Sequence, residues 1–288
     1  MINGTTKLMG LIGNPVAHTL SPVIHNTIAE KMGINMIYVP LPVKDNLKDA
    51  IKGAFSLQIQ GLNVTVPYKT QVIPFLKEVN EKAKIIGAIN TLVPDTDGYI
   101  GYNTDYLGLY QALISEGFKI QGQKIAIIGA GGSARAAAFL CAWEKAEKII
   151  IINRTLEHAK HIVEDVKKEA GFDEIYALSM EELNQISDSG YLALQATKVG
   201  LAPNINDTPI SDDTFFERLC GAYDFIYNPA DTQFMKLAKD KGIPAYNGLK
   251  MLLYQAVESF QIWNQVKVPE EIIEFTYEKL KRELYEKE

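Results

Sequence analysis

A two-domain α/β fold is predicted from three features of the sequence. Strand-like and helix-like stretches alternate from the beginning, at the spacing of βα units whose strands run mostly parallel. In the middle of the chain the glycine turn IAIIGAGGSARA joins a buried apolar run to an Ala-rich helix, the setting of a Rossmann-like unit. After GIPAYNG the pattern becomes helical. The expected division is a first α/β domain over residues 1–106, completed by returning C-terminal helices over 248–288, and a Rossmann-like domain over 107–247.

Each element has a local reason. KLMGLIG reads as a strand. SPVIHNTIAEKMG reads as a helix, with Ser21 as N-cap, Pro22 at the first helical position and Gly33 after the end. MIYVPLPV is strand-like, and DNLKDAIKGAFSL is an amphipathic helix opened by Asp45, with Leu47, Ile51 and Phe55 on its apolar face. In GLNVTVPYKTQ, Leu62, Val64 and Val66 alternate with Asn63 and Thr65 until Pro67 stops the ladder. That places Lys69 just past the carboxyl end of a strand. VIPFLKEVNEKAKIIGA reads as helical, and YLGLYQALISEGF as a helix closing near Gly117. Further βα pattern runs to GIPAYNG, followed by the helices LKMLLYQAVESFQIW and VPEEIIEFTYEKLKRELYEKE. The last is charged in the manner of a solvated amphipathic helix.

Composition narrows the function. The 288 residues are 47% hydrophobic and 22% charged, an ordinary globular balance with length enough for two cores. A net charge of −6 argues against nucleic-acid or anionic-membrane partners. Cys141 and Cys220 make neither a disulfide framework nor a metal cluster, in keeping with a reduced compartment. The opening MINGTTKLMGLIGNP lacks the continuous apolar stretch of a signal peptide, and no run reaches the roughly 20 residues of a membrane span. The expectation is a cytoplasmic protein acting on a small molecule, as a monomer or homodimer.

The glycine turn carries the clearest chemistry. Gly129, Gly131 and Ala134 stand at the G-x-G-x-x-A spacing. Gly129 allows a tight turn, Gly131 allows backbone N–H groups to approach a pyrophosphate, and Ala134 lets the helix pack close to its strand. Ala130, Gly132 and Ser133 complete the loop. The next strand ends Asn153-Arg154-Thr155, where an NAD site usually has a carboxylate for the ribose 2′-hydroxyl. A guanidinium there suits a 2′-phosphate instead, so NADP is the expected cofactor, with NAD an alternative.

The motifs GNPVAHTLSPVIHN, NVTVPYK, GAINT, GYNTD, GAGGSARA, NRT, YNP and GLKMLLYQA occur in one order along nearly the whole chain. With them the sequence resembles the shikimate dehydrogenase family. The resemblance implies an N-terminal substrate domain and an NADP-binding domain that together interconvert 3-dehydroshikimate and shikimate, in aromatic amino-acid biosynthesis. It implies Lys69 as the acid/base that protonates the developing alkoxide, a task suited to a positioned ammonium, with Asp105 as its partner and a substrate hydroxyl ligand. Thr65, Asn90 and Gln255 map onto ring-hydroxyl ligands, Thr19 and Ser21 onto hydroxyls for the substrate carboxylate, and Tyr227 lies near that carboxylate. Gly248 and Met251 would line the nicotinamide pocket. His18 and His25 are expected to be structural hydrogen-bonders.

Departures from the pattern matter too. Thr19 stands where the family has a serine, and its methyl bears on which acid is accepted. Leu156, Glu157 and His158 follow NRT where a further basic residue is common. The family's NATxxGM stretch reads QATKVGL, residues 195–201, and TKVG resembles the branch that takes quinate and both nicotinamide cofactors. His158 and His161 lie one helical turn apart without a carboxylate motif nearby, so no metal is expected. A quinate/shikimate dehydrogenase and a catalytically silent nucleotide-sensing module are the competing functions.

Overall fold

The computed structural model describes residues 2–286. The chain forms two compact units, Met1–Gly108 with Leu253–Glu288, and Leu109–Leu252. The first holds β1 (Lys7–Gly13), α1 (Ser21–Lys31), β2 (Met36–Pro42), α2 (Leu47–Ser56), β3 (Gly61–Val64), β4 (Glu78–Val79), α3 (Glu81–Ile86), β5 (Thr91–Pro94), β6 (Tyr99–Tyr102) and the start of α4 (Asp105–Ser115). Its sheet has the order β2-β1-β3-β5-β6-β4. β1 is parallel to β2 and β3, whereas β5 is antiparallel to both β3 and β6. The carboxyl ends of β1 and β3, the start of β5 and the end of β6 therefore share one edge of the sheet.

This unit departs from the sequence expectations at several points. β3 stops at Val64, before Thr65, and Val66 is exposed. All four residues of β3 are buried, because the strand is central and covered on both faces. The expected N-caps also shift. α1 is capped by Leu20, with Ser21 as its first residue and Pro22 in the opening turn; α2 is capped by Asn46 rather than Asp45. The stretch read as one helix after Gln71 breaks into a short 3-10 turn (Ile73–Phe75), β4 and α3, as Pro74 inside the pattern would require. The β5–β6 hairpin was missed; its turn runs through Asp95 and Gly98, whose backbones pair at 2.8 Å.

His25 differs in role. It is fully buried, stacks on Tyr38 with ring centroids 4.1 Å apart and lies 5.2 Å from Trp263. Among the described residues neither ring nitrogen has a hydrogen-bond partner, so stacking, not hydrogen bonding, holds it. Desolvation lowers its pKa to about 3, with the nearby Asn63 side chain opposing only in part. The unfolded chain then takes up a proton below about 6.5 that the folded chain refuses, so this group's contribution to stability falls as pH drops from about 6.5 toward 3. Wild type is expected to lose about 1.4 kcal/mol per pH unit more than His25→Phe over that range. Urea denaturation at pH 7 and pH 5 measures the difference; equal slopes would contradict it.

The second unit holds β7 (Lys124–Ile128), α5 (Gly132–Trp143), β8 (Lys148–Ile152), α6 (Leu156–Ala170), β9 (Ile175–Leu178), β10 (Tyr191–Gln195), α7 (Asp213–Phe216), β11 (Leu219–Asp224), α8 (Gln233–Asp240) and β12 (Ala245–Asn247). Its sheet runs β12-β11-β10-β7-β8-β9, with every pairing parallel. Strand order reverses beside β7, and in such sheets ligands bind at the carboxyl ends around that reversal. Ala126, Ile128, Ile150, Ile152 and Ala193 build the core on one face, with Phe216 and Phe234 packed over them.

The chain then enters α9 (Leu249–Asn264) and α10 (Glu270–Tyr285). Most of α9, and all of α10, belong to the first unit. There α10 packs on α1, with Lys31 Nζ 4.0 Å above the Phe275 ring. Among the described residues no helix is long and apolar enough to cross a membrane.

Candidate active site

The shared edge of the first sheet gathers the polar residues singled out in the sequence. Thr19 and Ser21 follow β1, Thr65 and Lys69 follow β3, Asn90 precedes β5, and Asp105 opens α4 just after β6. Lys69 lies in a turn whose backbone carbonyl accepts the Ile89 N–H at 2.7 Å, which ties the lysine to the segment carrying Asn90. Lys69 Nζ donates to Asp105 Oδ2 at 2.7 Å, with side-chain exposures of 29% and 14%. Such a pair is sheltered enough to be fixed yet open enough to meet a solute.

Asp105 is held from its other side as well. Asn90 Nδ2 donates to Asp105 Oδ1 at 2.9 Å and lies 3.4 Å from Gln255 Oε1. The Asp105 N–H donates to Asn103 Oδ1 at 3.0 Å, which satisfies a free donor at the start of α4. Gln255 is half-buried and faces this cluster from α9. Its approach depends on Gly108, where a Cβ would fall 2.6 Å from the Gln255 backbone nitrogen; only glycine lets the two helices come so close. Lys69, Asn90, Asp105 and Gln255 are thus brought together.

The carboxylate-end hydroxyls form their own group. Thr19 Oγ1 accepts the Ser21 N–H at 3.3 Å and donates to Ser21 Oγ at 3.1 Å, so the Thr19 rotamer, and its methyl, are fixed by Ser21. Thr65 is half-buried, and its methyl packs where a side chain on Gly13 would otherwise sit.

In the second unit the predicted cofactor residues line the carboxyl ends of parallel strands. Gly129 follows β7 with φ +113°, a conformation that favours glycine. A Cβ on it would lie 3.0 Å from Thr197 Cγ2 and 3.1 Å from Ala196 O, so the glycine turn touches the QATKVG stretch after β10. Gly131 caps α5, and Gly131 and Gly132 both face open space where a side chain would stand. Ala134 is fully buried against the sheet, while Ala130 is half-buried and Ser133 exposed. Asn153 Nδ2 donates to Thr155 O at 2.8 Å; Thr155 caps α6, and Arg154 is exposed. Exposed N–H groups at a helix start, space above two glycines and a cation after β8 fit a phosphorylated dinucleotide.

Gly248 donates its N–H to Ile226 O at 3.1 Å, and any side chain on it would strike the Phe225 carbonyl. Met251 N–H donates to Tyr223 Oη at 3.2 Å. Tyr227 is half-buried, and desolvation raises its phenol.

Sequence reasoning missed two sets of residues. Asp224 ends β11 fully buried, accepting Ile226 N–H at 2.9 Å and the Thr232 hydroxyl at 2.6 Å. Desolvation pushes its pKa up to about 6 against those hydrogen bonds, and it pins the loop bearing Tyr227. The second set is Asn63, Thr91, Thr104 and Ser259, all buried beneath Asn90. The available signal was the adjacency of Thr91 to Asn90 and of Thr104 to Asp105, and the place of Ser259 one helical turn beyond Gln255; Asn63 had none.

The chain is similar along most of its length to known proteins. Residues 11–92 match the shikimate dehydrogenase substrate binding domain, residues 112–199 the shikimate / quinate 5-dehydrogenase domain, and residues 248–274 the shikimate 5′-dehydrogenase C-terminal domain. The NADP(+) shikimate dehydrogenase of Carboxydothermus hydrogenoformans is 41% identical over 94% of this chain and 96% of its own. Shikimate 5-dehydrogenase from Listeria monocytogenes, solved with shikimate and NAD, superposes with a TM-score of 0.89 at 32% identity, covering 97% of this chain and 98% of its own. A shikimate dehydrogenase solved with NADP+ gives a TM-score of 0.87 at 37% identity, covering 97% of both chains. With a basic strand end in one unit, a lysine–aspartate pair in the other and matches along nearly its whole length, the chain belongs to the shikimate dehydrogenase family.

Proposed function

We propose that this protein catalyses the reversible NADPH-dependent reduction of 3-dehydroshikimate to shikimate. The observation that carries the reading is the Lys69–Asp105 pair at 2.7 Å, half-sheltered at the sheet edge. NADPH, when bound, supplies the hydride. Lys69 gives its Nζ proton to the oxygen of the reduced carbonyl, and takes a proton back in the oxidising direction. Asp105 holds the ammonium in place through Oδ2, and its carboxylate, with Asn90, Gln255 and Thr65, ligates ring hydroxyls. Ser21 donates to the substrate carboxylate at the start of α1, where the helix dipole favours an anion, Thr19 turns its proton from Ser21 Oγ to the same carboxylate, and Tyr227 contacts that carboxylate. A nucleotide sensor would have no use for a fixed proton donor, so the pair favours an enzyme.

Gly129 to Ala134 cradle the pyrophosphate, Asn153, Arg154 and Thr155 hold the 2′-phosphate, and Gly248 and Met251 border the nicotinamide. If Arg154 makes a charge-assisted hydrogen bond to that phosphate, Arg154→Ala raises KM for NADPH by about tenfold or more and leaves that for NADH nearly unchanged. Steady-state kinetics with both cofactors checks this; equal losses would make Arg154 a structural residue.

Shikimate oxidation is expected to exceed quinate oxidation by at least about tenfold in kcat/KM. The reason is the fixed Thr19 methyl beside the carboxylate site, which crowds a puckered ring bearing an extra hydroxyl. The opposing feature, TKVG, lies in the other unit against the glycine turn. The test is a panel of both acids with NADP+ and NAD+ at one pH. Comparable values for the two acids would place the chain on the quinate branch, and no oxidation with any pair would overturn the reading.

A further inference from the structure

We propose that Thr91 and Ser259, buried hydroxyls that touch neither Lys69 nor Asp105, are positioning residues that fix which way the Asn90 carboxamide faces and so hold Asp105 in register with Lys69. The inference rests on the reading of that pair as the acid/base machinery.

The direction of the hydrogen bonds at the Asn90 side chain follows from counting donors. Asn90 Oδ1 receives the Thr104 backbone N–H at 2.7 Å and the Thr91 hydroxyl at 3.0 Å. Its Nδ2 is thereby turned toward Thr104 Oγ1 and Asp105 Oδ1, both at 2.9 Å. A flipped amide would set NH2 against a backbone N–H, and oxygen against a carboxylate. Since Thr104 Oγ1 receives from Asn90, its own proton goes to the Gln255 carbonyl at 2.9 Å.

Thr91 has one proton, committed to Asn90, and must accept from everything else near it. Those donors are Asn63 Nδ2 at 3.1 Å and Ser259 Oγ at 2.8 Å, the serine sharing its single proton between Thr91 Oγ1 and the Gln255 carbonyl at 3.0 Å. The same Asn63 Nδ2 proton is shared with Ser259 Oγ at 3.0 Å. Asn63 is itself locked, because its Oδ1 accepts the Tyr38 hydroxyl at 2.8 Å and its remaining proton goes to Asn90 O at 3.0 Å. Thr91, Thr104 and Ser259 are fully buried, and Asn63 and Asn90 almost so, so water does not substitute for a lost member. The cluster therefore runs from the Tyr38 hydroxyl to the carboxylate that holds Lys69.

The test uses the full-length protein and two readouts. Proton–nitrogen NMR follows hydrogen exchange of the Asn90 side-chain amide without ligand, and steady-state kinetics follows turnover of 3-dehydroshikimate. Thr91→Val keeps the branched shape and removes the proton aimed at Asn90 Oδ1. It is expected to speed Asn90 amide exchange roughly tenfold and lower kcat about tenfold, as small misplacements do, with KM for NADPH unchanged. Thr91→Ser restores both. Ser259→Ala moves both in the same direction by less, and carries the test should Thr91→Val not fold. Wild-type exchange and kcat in Thr91→Val and Ser259→Ala would overturn the proposal. So would a Thr91→Ser as impaired as Thr91→Val, since that would assign the effect to methyl packing. A wild-type protein with no turnover would sink the acid/base reading itself, while the exchange rates still decide the amide's orientation.

Discussion

Lys69→Met lowers kcat by about 10²–10⁴-fold while substrate KM stays within a few-fold, the loss expected when a positioned general acid is removed from a ketone reduction. Methionine keeps most of the side chain's length and leaves the turn after β3 intact. What disappears is the proton donor 2.7 Å from Asp105 Oδ2. A uniform rise in KM with unchanged kcat would mean that Lys69 binds substrate without transferring a proton. A kcat loss under about fivefold would remove Lys69 from the acid/base role.

Asp105→Asn should cost a comparable factor in kcat, and differ from the lysine variant in binding. Asp105 accepts from Lys69 through one oxygen and from Asn90 through the other. An asparagine cannot accept at both atoms, so either the ammonium or the Asn90 amide loses its partner. A hydrogen bond to a charged group is worth about 1.5–3 kcal/mol, which as a substrate ligand corresponds to a KM rise of about tenfold to a hundredfold. Initial rates over a range of 3-dehydroshikimate concentrations separate the two effects. A variant with reduced kcat and unchanged KM would confine Asp105 to orienting Lys69.

The architecture was legible because its signals are local and strong. The buried run before Gly129, the Ala-rich helix after it and the regular alternation of elements each have a physical reason visible in one dimension. Local signals failed where tertiary context decides. Pro67 suggested a strand through Val66, but β3 ends at Val64 and Val66 is exposed, although the Thr65 N–H still reaches the Ile12 carbonyl at 2.9 Å and the Asn14 N–H the Val66 carbonyl at 3.0 Å. Ser21 looked like a helix cap because serine usually is one; here Leu20 takes the cap position, and the Ser21 backbone N–H is bound by Thr19 Oγ1, two residues earlier.

The candidate site was legible at its functional tips and opaque beneath them. Lys69, Asn90, Asp105 and Gln255 were found through motifs, and the antiparallel β5–β6 hairpin is what returns the chain so that they meet. Nothing local in the sequence says that Ser259, one turn beyond Gln255 on α9, lies 2.8 Å from Thr91. Gly108 has no local signal to set it apart from any helical glycine; the packing of α9 against it is what gives it a role. Contacts between residues this far apart in sequence come from packing, and packing is not written in any short window.

The most direct measurement is the initial rate of NADPH oxidation by the purified protein with 3-dehydroshikimate, followed by the loss of NADPH absorbance, for wild type and Lys69→Met side by side. Rapid turnover to shikimate by wild type, falling at least about a hundredfold in the variant, is the expected result. Absence of turnover in wild type, or equal turnover in both proteins, would contradict the assignment of this chain as a dehydrogenase working through Lys69.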